Sequence, residues 1–240
     1  MSSNTRDVYT WANATPWSLA RVAVDSSPRV FLWGPPGVGK TFLTATAGRP
    51  CYSVTLCDDH TVQELIGHYL PEGRVFRWHD GPVALAMREG VLLVLNEIGR
   101  ASGAVQDFLL GVLDSREAGG VALPTGERLL AAPGFAVVAT SNSSADVLDP
   151  ALRSRFDVEV HLPMPNPALV ATLNLQVRGL GDALADSFTD PARALDPRRL
   201  LALVRLLEQQ VPVRSAAAMC FGAQAPDLLA ALSARGVRLP

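Results

Sequence analysis

At 240 residues, 48% of them apolar, the chain has the length for one large domain or a core with a small appendage, and enough apolar surface to bury, which argues against a disordered chain. Its 21 Lys and Arg stand against 23 Asp and Glu, a formal charge of −2, so the chain as a whole has no electrostatic attraction for nucleic acid or anionic membrane. Cys51, Cys57 and Cys220 are too sparse, and odd in number, for a disulfide framework; they suit reduced thiols in the cytoplasm.

From the N-terminus, Met1 to Thr10 carries Arg6, Asp7 and polar residues where a signal sequence needs an apolar core. No stretch approaches the roughly 18 uninterrupted apolar residues of a membrane span, so a soluble cytoplasmic protein is expected. Tyr9 and Trp11 are candidates to pack near the base of the core. Val30 to Trp33 is the first short apolar run and predicts a buried strand; Tyr52 to Leu56, Val91 to Leu95, Phe135 to Ala139 and Val158 to Leu162 predict four more. Helix-like stretches at Lys40 to Ala47, Pro82 to Glu89 and Ala104 to Leu113 fall between them, and this alternation predicts a doubly wound, five-stranded parallel α/β sheet. Pro163-Met164-Pro165-Asn166-Pro167 then breaks structure through fixed φ and missing donors, and Leu, Ala and Arg come after it at helical spacing. The expected organisation is an α/β core over 1–162 and a small helical lid over 163–240.

Two segments carry the chemistry. Gly34-Pro35-Pro36-Gly37-Val38-Gly39-Lys40-Thr41 matches GxxxxGK[ST] and lies between a predicted strand and a predicted helix, the context that pattern requires. Glycines let successive N–H groups curl toward phosphate oxygens, the helix N-terminus adds partial positive charge, and Lys40 meets the terminal phosphates. Thr41 offers its hydroxyl to Mg²⁺. Val91-Leu92-Leu93-Val94-Leu95-Asn96-Glu97 resembles a Walker B strand, which delivers acidic groups beside the phosphates, although the usual Asp-Glu is here Asn-Glu. Asn96 keeps a carbonyl oxygen for a metal-bound water but lacks the charge that a hard dication favours. Glu97 has the chemistry of a base for the attacking water.

These motifs are similar to those of AAA+ ATPases of the MoxR and dynein-related group, and the resemblance runs from Arg29 to about Leu207. Asn96-Glu97-Ile98-Gly99-Arg100-Ala101 resembles that group's D-E-I-N-R-A segment, with Asn96 and Gly99 as departures. Asp59 to Gly90 resembles the insertion these proteins carry in their second helix, and Val121 to Ala131, turning at Pro124-Thr125-Gly126, their hairpin before sensor 1. The resemblance implies that Asn142, in Ala139-Thr140-Ser141-Asn142, is sensor 1 and contacts the γ-phosphate or attacking water. In Leu152-Arg153-Ser154-Arg155-Phe156 it implies that Arg155, or less directly Arg153, reaches a neighbouring subunit's nucleotide. In Asp196-Pro197-Arg198-Arg199 it implies a sensor 2 arginine at Arg198, with the adjacent Arg199 as the alternative.

The resemblance also implies ATP and Mg²⁺ as ligands, NTP hydrolysis, a homo-oligomeric ring, hexameric in subunit number, and mechanical work on a partner protein, often one with a von Willebrand factor A domain. Two other classes stay open: a nucleotide-gated scaffold with little hydrolysis, favoured by Asn96, and the motor of a nucleic-acid machine that uses GTP. Cys57-Asp58-Asp59-His60 lacks the second ligand pair of a zinc site. His68, His79 and His161 are scattered, no nucleophile motif is present, and Arg74, Arg77 and Trp78, which have the composition of a basic aromatic patch, read first as an ordinary amphipathic surface.

Overall fold

Five apolar runs flanked by turn residues become five parallel strands: the central three, Leu92–Asn96, Ala136–Ser141 and Arg29–Trp33, are buried on both faces and pair on both sides, while the edge strands, Cys51–Thr55 and Val158–His161, are largely uncovered. The computed structural model describes residues 15–114, 120–190 and 194–239; Tyr9 and Trp11 lie outside them. In chain order it contains α1 (Pro16–Ser26), β1 (Arg29–Trp33), α2 (Lys40–Ala45), β2 (Cys51–Thr55), α3 (Val62–Ile66), β3 (Gly67–Glu72), β4 (Val75–Asp80), α4 (Pro82–Glu89), β5 (Leu92–Asn96), α5 (Gly103–Leu113), β6 (Val121–Ala122), β7 (Arg128–Leu129), β8 (Ala136–Ser141), α6 (Pro150–Arg153), β9 (Val158–His161), α7 (Pro167–Gln176), α8 (Leu180–Ser187), α9 (Pro197–Glu208), α10 (Val213–Phe221) and α11 (Ala225–Ala234). The described residues divide into two compact units: 15–33 with 43–161, and 34–42 with 162–239.

The first unit holds the sheet, in the order β2-β5-β8-β1-β9, all parallel. Phe31, Leu93, Leu95, Val137 and Ala139 from its strands join Leu56, Met87, Leu109 and Phe156 in one core. At the carboxyl ends of β1 and β9, Trp33 and His161 are register partners whose rings stack 3.7 Å apart at 12°. Two hairpins interrupt the alternation of strand and helix. β3 and β4 pair antiparallel between α3 and α4, where the second-helix insertion is expected, and β6 and β7 form the hairpin before β8. The latter closes through Gly126 N–H to Leu123 O at 2.9 Å and Leu123 N–H to Glu127 O at 2.8 Å.

The second unit contains α7 to α11 around a core of their own that includes Leu173, Leu184, Leu203 and Phe221. On α9, Leu200, Leu203, Val204 and Leu207 are buried at i, i+3, i+4 and i+7, the single apolar stripe of a helix that packs by one face. No helix among the described residues is long and apolar enough to cross a membrane.

Candidate functional site

The loop after β1 has a backbone that other residues could not adopt. Gly34 has φ +149°, and a Cβ there would lie 2.2 Å from Leu162 O; Gly37 has φ +78°, and its Cβ would meet Pro197 Cδ at 2.7 Å. The loop therefore needs glycine both for its conformation and because its backbone is pressed against the start of the helical unit. Val38 O accepts from Asn166 N–H at 2.8 Å, a second tie within that unit. Lys40 is 5% exposed, and its Nζ donates to Gly34 O at 2.7 Å and Pro35 O at 2.8 Å. A buried ammonium must be compensated, and here the carbonyls of its own loop do so. Such a loop, with glycines at positive φ and a cation inside, fits a phosphate chain.

Pro197 is also the first residue of α9, so its contact with Gly37 sets Arg198 and Arg199 in the turn next to the loop. Asp196 caps that helix by accepting from Arg198 N–H at 2.9 Å, and Arg199 Nε lies 3.6 Å from its other oxygen. Both arginines are exposed, and the Arg198 guanidinium has no ion pair among the described residues.

In the sheet unit, β5 and β8 are adjacent and parallel, so their carboxyl ends present Asn96-Glu97 and Ser141-Asn142 side by side. Asn142 Nδ2 donates to Glu97 Oε1 at 2.5 Å. Glu97 is left-handed, at φ 58° and ψ 41°, a conformation that costs a non-glycine residue roughly 1–3 kcal/mol and that clusters at functional sites. Asn96 is 6% exposed; it donates through Nδ2 to Ser53 Oγ at 3.0 Å, and Oδ1 accepts from Thr140 Oγ1 at 3.3 Å. Its amide thus bridges β2 and β8 from the strand between them. Of the donors the sequence names for Mg²⁺, this amide carbonyl and, in the other unit, the Thr41 hydroxyl are each neutral oxygens, of the kind an ion that keeps its waters accepts. Gly99, the other departure, is explained by packing: a Cβ there would lie 2.2 Å from Val147 Cγ2.

The two candidate finger arginines differ in how many donors they have committed. Arg153 gives Nε and Nη2 to Glu159 at 2.7 and 2.9 Å and Nη1 to Asp146 at 2.9 Å; Glu159 first, then Asp146, holds its pKa above the ordinary guanidinium range. Arg155 gives Nε to Asp114. Beside it Phe156 is buried with its ring 5.5 Å from Phe31, and Asp157 accepts from Arg29 Nε and Nη2 at 3.2 and 3.0 Å. Arg29 Nη1 also donates to Leu113 O at 2.7 Å, next to Asp114.

Ser53, Thr140, Asp114 and Arg29 carry no signal of these roles in the sequence, where they stand far from the groups they contact and complete no motif. Elsewhere, Cys57 Sγ lies 2.9 Å from His60 Nδ1. Arg77 pairs with Glu72 at 2.9 Å, and Trp78 Nε1 donates to Asp80 at 2.6 Å, so two of the three residues of the basic aromatic trio Arg74, Arg77 and Trp78 are engaged within their own hairpin.

The family model described as AAA domain (dynein-related subfamily) matches residues 29–156. NorQ of Paracoccus denitrificans (strain Pd 1222) is 36% identical over 192 residues, 75% of this chain and 66% of NorQ. NirQ of Stutzerimonas stutzeri, described as a denitrification regulatory protein, is 31% identical over 217 residues, 82% of this chain and 78% of NirQ. Among solved structures, NtrX from Brucella abortus, crystallised with ATP, superposes with a TM-score of 0.54 at 15% identity, over 92% of this chain and 67% of its own. A RuvB mutant from Thermotoga maritima gives 0.51 at 17% identity, over 91% and 68%. At those identities the structural likeness speaks for the fold.

Proposed function

The chain belongs to the dynein-related subfamily of AAA domains, the MoxR-like AAA+ ATPases, and we propose that it binds and hydrolyses ATP as a ring-forming oligomer that remodels or matures a partner protein. Gly34 to Thr41 would wrap the phosphates with backbone N–H groups, with Lys40 exchanging its loop carbonyls for the β- and γ-phosphate oxygens. Thr41 and Asn96 would hold Mg²⁺, which when bound supplies positive charge to the terminal phosphates. Glu97 would take the proton of the attacking water, and Asn142 would position it. Arg155 of a neighbouring subunit would meet the charge that develops on the γ-phosphate. Arg198, in the first turn of the helix that touches Gly37, would do so within the same chain.

The observation that carries this reading is the hydrogen bond between Glu97 and Asn142, 45 residues apart in sequence, at the ends of adjacent strands. It supports a base and a polar group that act on one water. Action on a partner protein has the support of NirQ, a relative described as regulatory. Lys40→Ala tests the binding half. It removes the mobile cation of the loop, so calorimetry should find about ten- to a hundredfold weaker ATP binding, the size expected for a lost charge-assisted contact to phosphate. Affinity equal to wild type rejects the loop as the nucleotide site.

Asn96 favours a second reading, a nucleotide-gated scaffold with slow turnover. Its amide is neutral and engaged with Ser53 and Thr140, so the charge that ordinarily steadies the metal is missing. Steady-state hydrolysis with Mg²⁺ separates the two.

A further inference from the structure

We propose that Asp114 is the positioning residue for Arg155, gripping the guanidinium at Nε so that the terminal Nη1 and Nη2 groups stay available for a phosphate; this rests on Arg155 being the trans-acting arginine proposed above. The donor pattern is the first argument. Arg153 has committed Nε, Nη1 and Nη2 to two carboxylates, whereas the guanidinium of Arg155 has one partner among the described residues, the Asp114 carboxylate, and meets it through Nε alone. The end of the fork that matches two phosphate oxygens is therefore uncommitted in Arg155 and spent in Arg153.

The second argument is the rigidity of both ends of the pair. Asp114 ends α5, where Val112 and Leu113 are buried, and its N–H donates to Leu110 O at 3.0 Å. Arg155 precedes the buried Phe156. Arg29 links the two segments, with Nη1 on the Leu113 carbonyl and Nε and Nη2 on the Asp157 carboxylate. A carboxylate fixed in this way limits the wandering of a long side chain that is 39% exposed, and removes ordering cost from the step in which it meets phosphate. A half-exposed pair of this kind is screened by solvent and adds modestly to stability, so its main effect is on the reaction.

The test uses the full chain and its Asp114→Asn, Asp114→Glu and Arg155→Ala variants, assayed for steady-state ATP hydrolysis with Mg²⁺, ATP affinity by calorimetry, and assembly by light scattering. Asp114→Asn should lower kcat about ten- to a hundredfold, up to the scale of a misplaced catalytic group, with affinity and assembly unchanged. Asp114→Glu, which restores the charge on a longer arm, should recover part of that loss. Since the defect lies in what one subunit offers another, Asp114→Asn mixed with loop-deficient Lys40→Ala should regain activity. Wild-type or faster kcat in Asp114→Asn, with Arg155→Ala inactive, overturns the positioning role and leaves the finger standing. Should Asp114→Asn also assemble poorly, Asp114→Glu decides: restored assembly without restored kcat overturns the proposal. An Arg155→Ala variant as fast as wild type defeats the finger reading itself.

Discussion

Asn96 uses both ends of its amide, giving protons to Ser53 on one neighbouring strand and accepting from Thr140 on the other. A carboxylate there would still be served, because the Ser53 hydroxyl can rotate and donate, but it would be a buried charge until a cation met it. Asn96→Asp should therefore lower the Mg²⁺ concentration needed for half-maximal turnover, or raise turnover, and should melt earlier than wild type in chelator, a loss of about 1–3 kcal/mol. Glu97→Gln should bind ATP and barely cleave it. A Mg²⁺ titration of hydrolysis with a melting curve in chelator checks both, and identical curves for Asn96→Asp and wild type would show that the amide is neutral to the metal. The sequence carries the residue types at this site because strand ends and glycine loops have short, local patterns. Ser53 and Thr140 are not legible there, since a hydroxyl 43 or 44 residues away becomes a partner only through strand order. The Asp114 to Arg155 pair is hidden for the same reason.

Single elements are most legible where the pattern is densest. The five strands start and stop within two residues of their apolar runs, most densely patterned in the central strands, which are buried on both faces. α2 ends at Ala45, two residues short of the predicted Ala47, before the turn to Gly48, whose φ is +69°. α1 is absent from the predicted elements, although Thr15 caps it by accepting from Ser18 N–H at 3.2 Å and Pro16 opens it. Its stripe of Trp17, Ala20, Ala23 and Val24 is mostly small residues, a weak periodic signal. Prolines that break structure in the sequence are in fact often openers: Pro150, Pro167 and Pro197 come directly after Asp149, Asn166 and Asp196, which cap their helices. What no single element reveals is the clamp at Arg88 on α4, which gives Nε to Asp80 on β4 at 2.6 Å and Nη1 and Nη2 to Glu127 at 2.7 Å. One guanidinium thus ties both hairpins to α4. Arg88→Ala should speed amide exchange in Gly67–Asp80 and Val121–Leu129 several-fold while leaving the central strands protected, as hydrogen exchange with peptide resolution would show. Glu127 is held below the ordinary carboxylate range, chiefly by Arg88. A lowered folded-state pKa means that the stabilisation is complete above the unfolded value of about 4.3 and fades as pH falls through the folded one, so the variant and wild type should converge in acid.

For the molecule as a whole, the proposed reaction divides its groups between what a subunit keeps and what it lends. In that proposal Lys40 and Glu97 would each act on the nucleotide that their own chain holds, while Arg155 would act on a neighbour's, where a guanidinium can meet γ-phosphate oxygens in a site closed only on assembly. Activity then belongs to the ring: specific activity should rise with protein concentration as subunits associate. Arg155→Ala should bind ATP nearly normally and lose most hydrolysis, roughly a thousandfold if it is worth what other arginine fingers are. Mixing is the decisive measurement. Arg155→Ala subunits retain a working loop and Lys40→Ala subunits a working arginine, so in mixed rings some interfaces pair one with the other. Two inactive preparations should regain part of the wild-type rate together, and the regained rate should peak near equal proportions, where such interfaces are most frequent. Tagged pull-down establishes that subunits exchange, and light scattering that the mixture assembles. With both satisfied, a mixture that stays inactive rules out Arg155 as a trans-acting group, and the arginine to test next is Arg153, whose release would require it to leave Glu159 and Asp146.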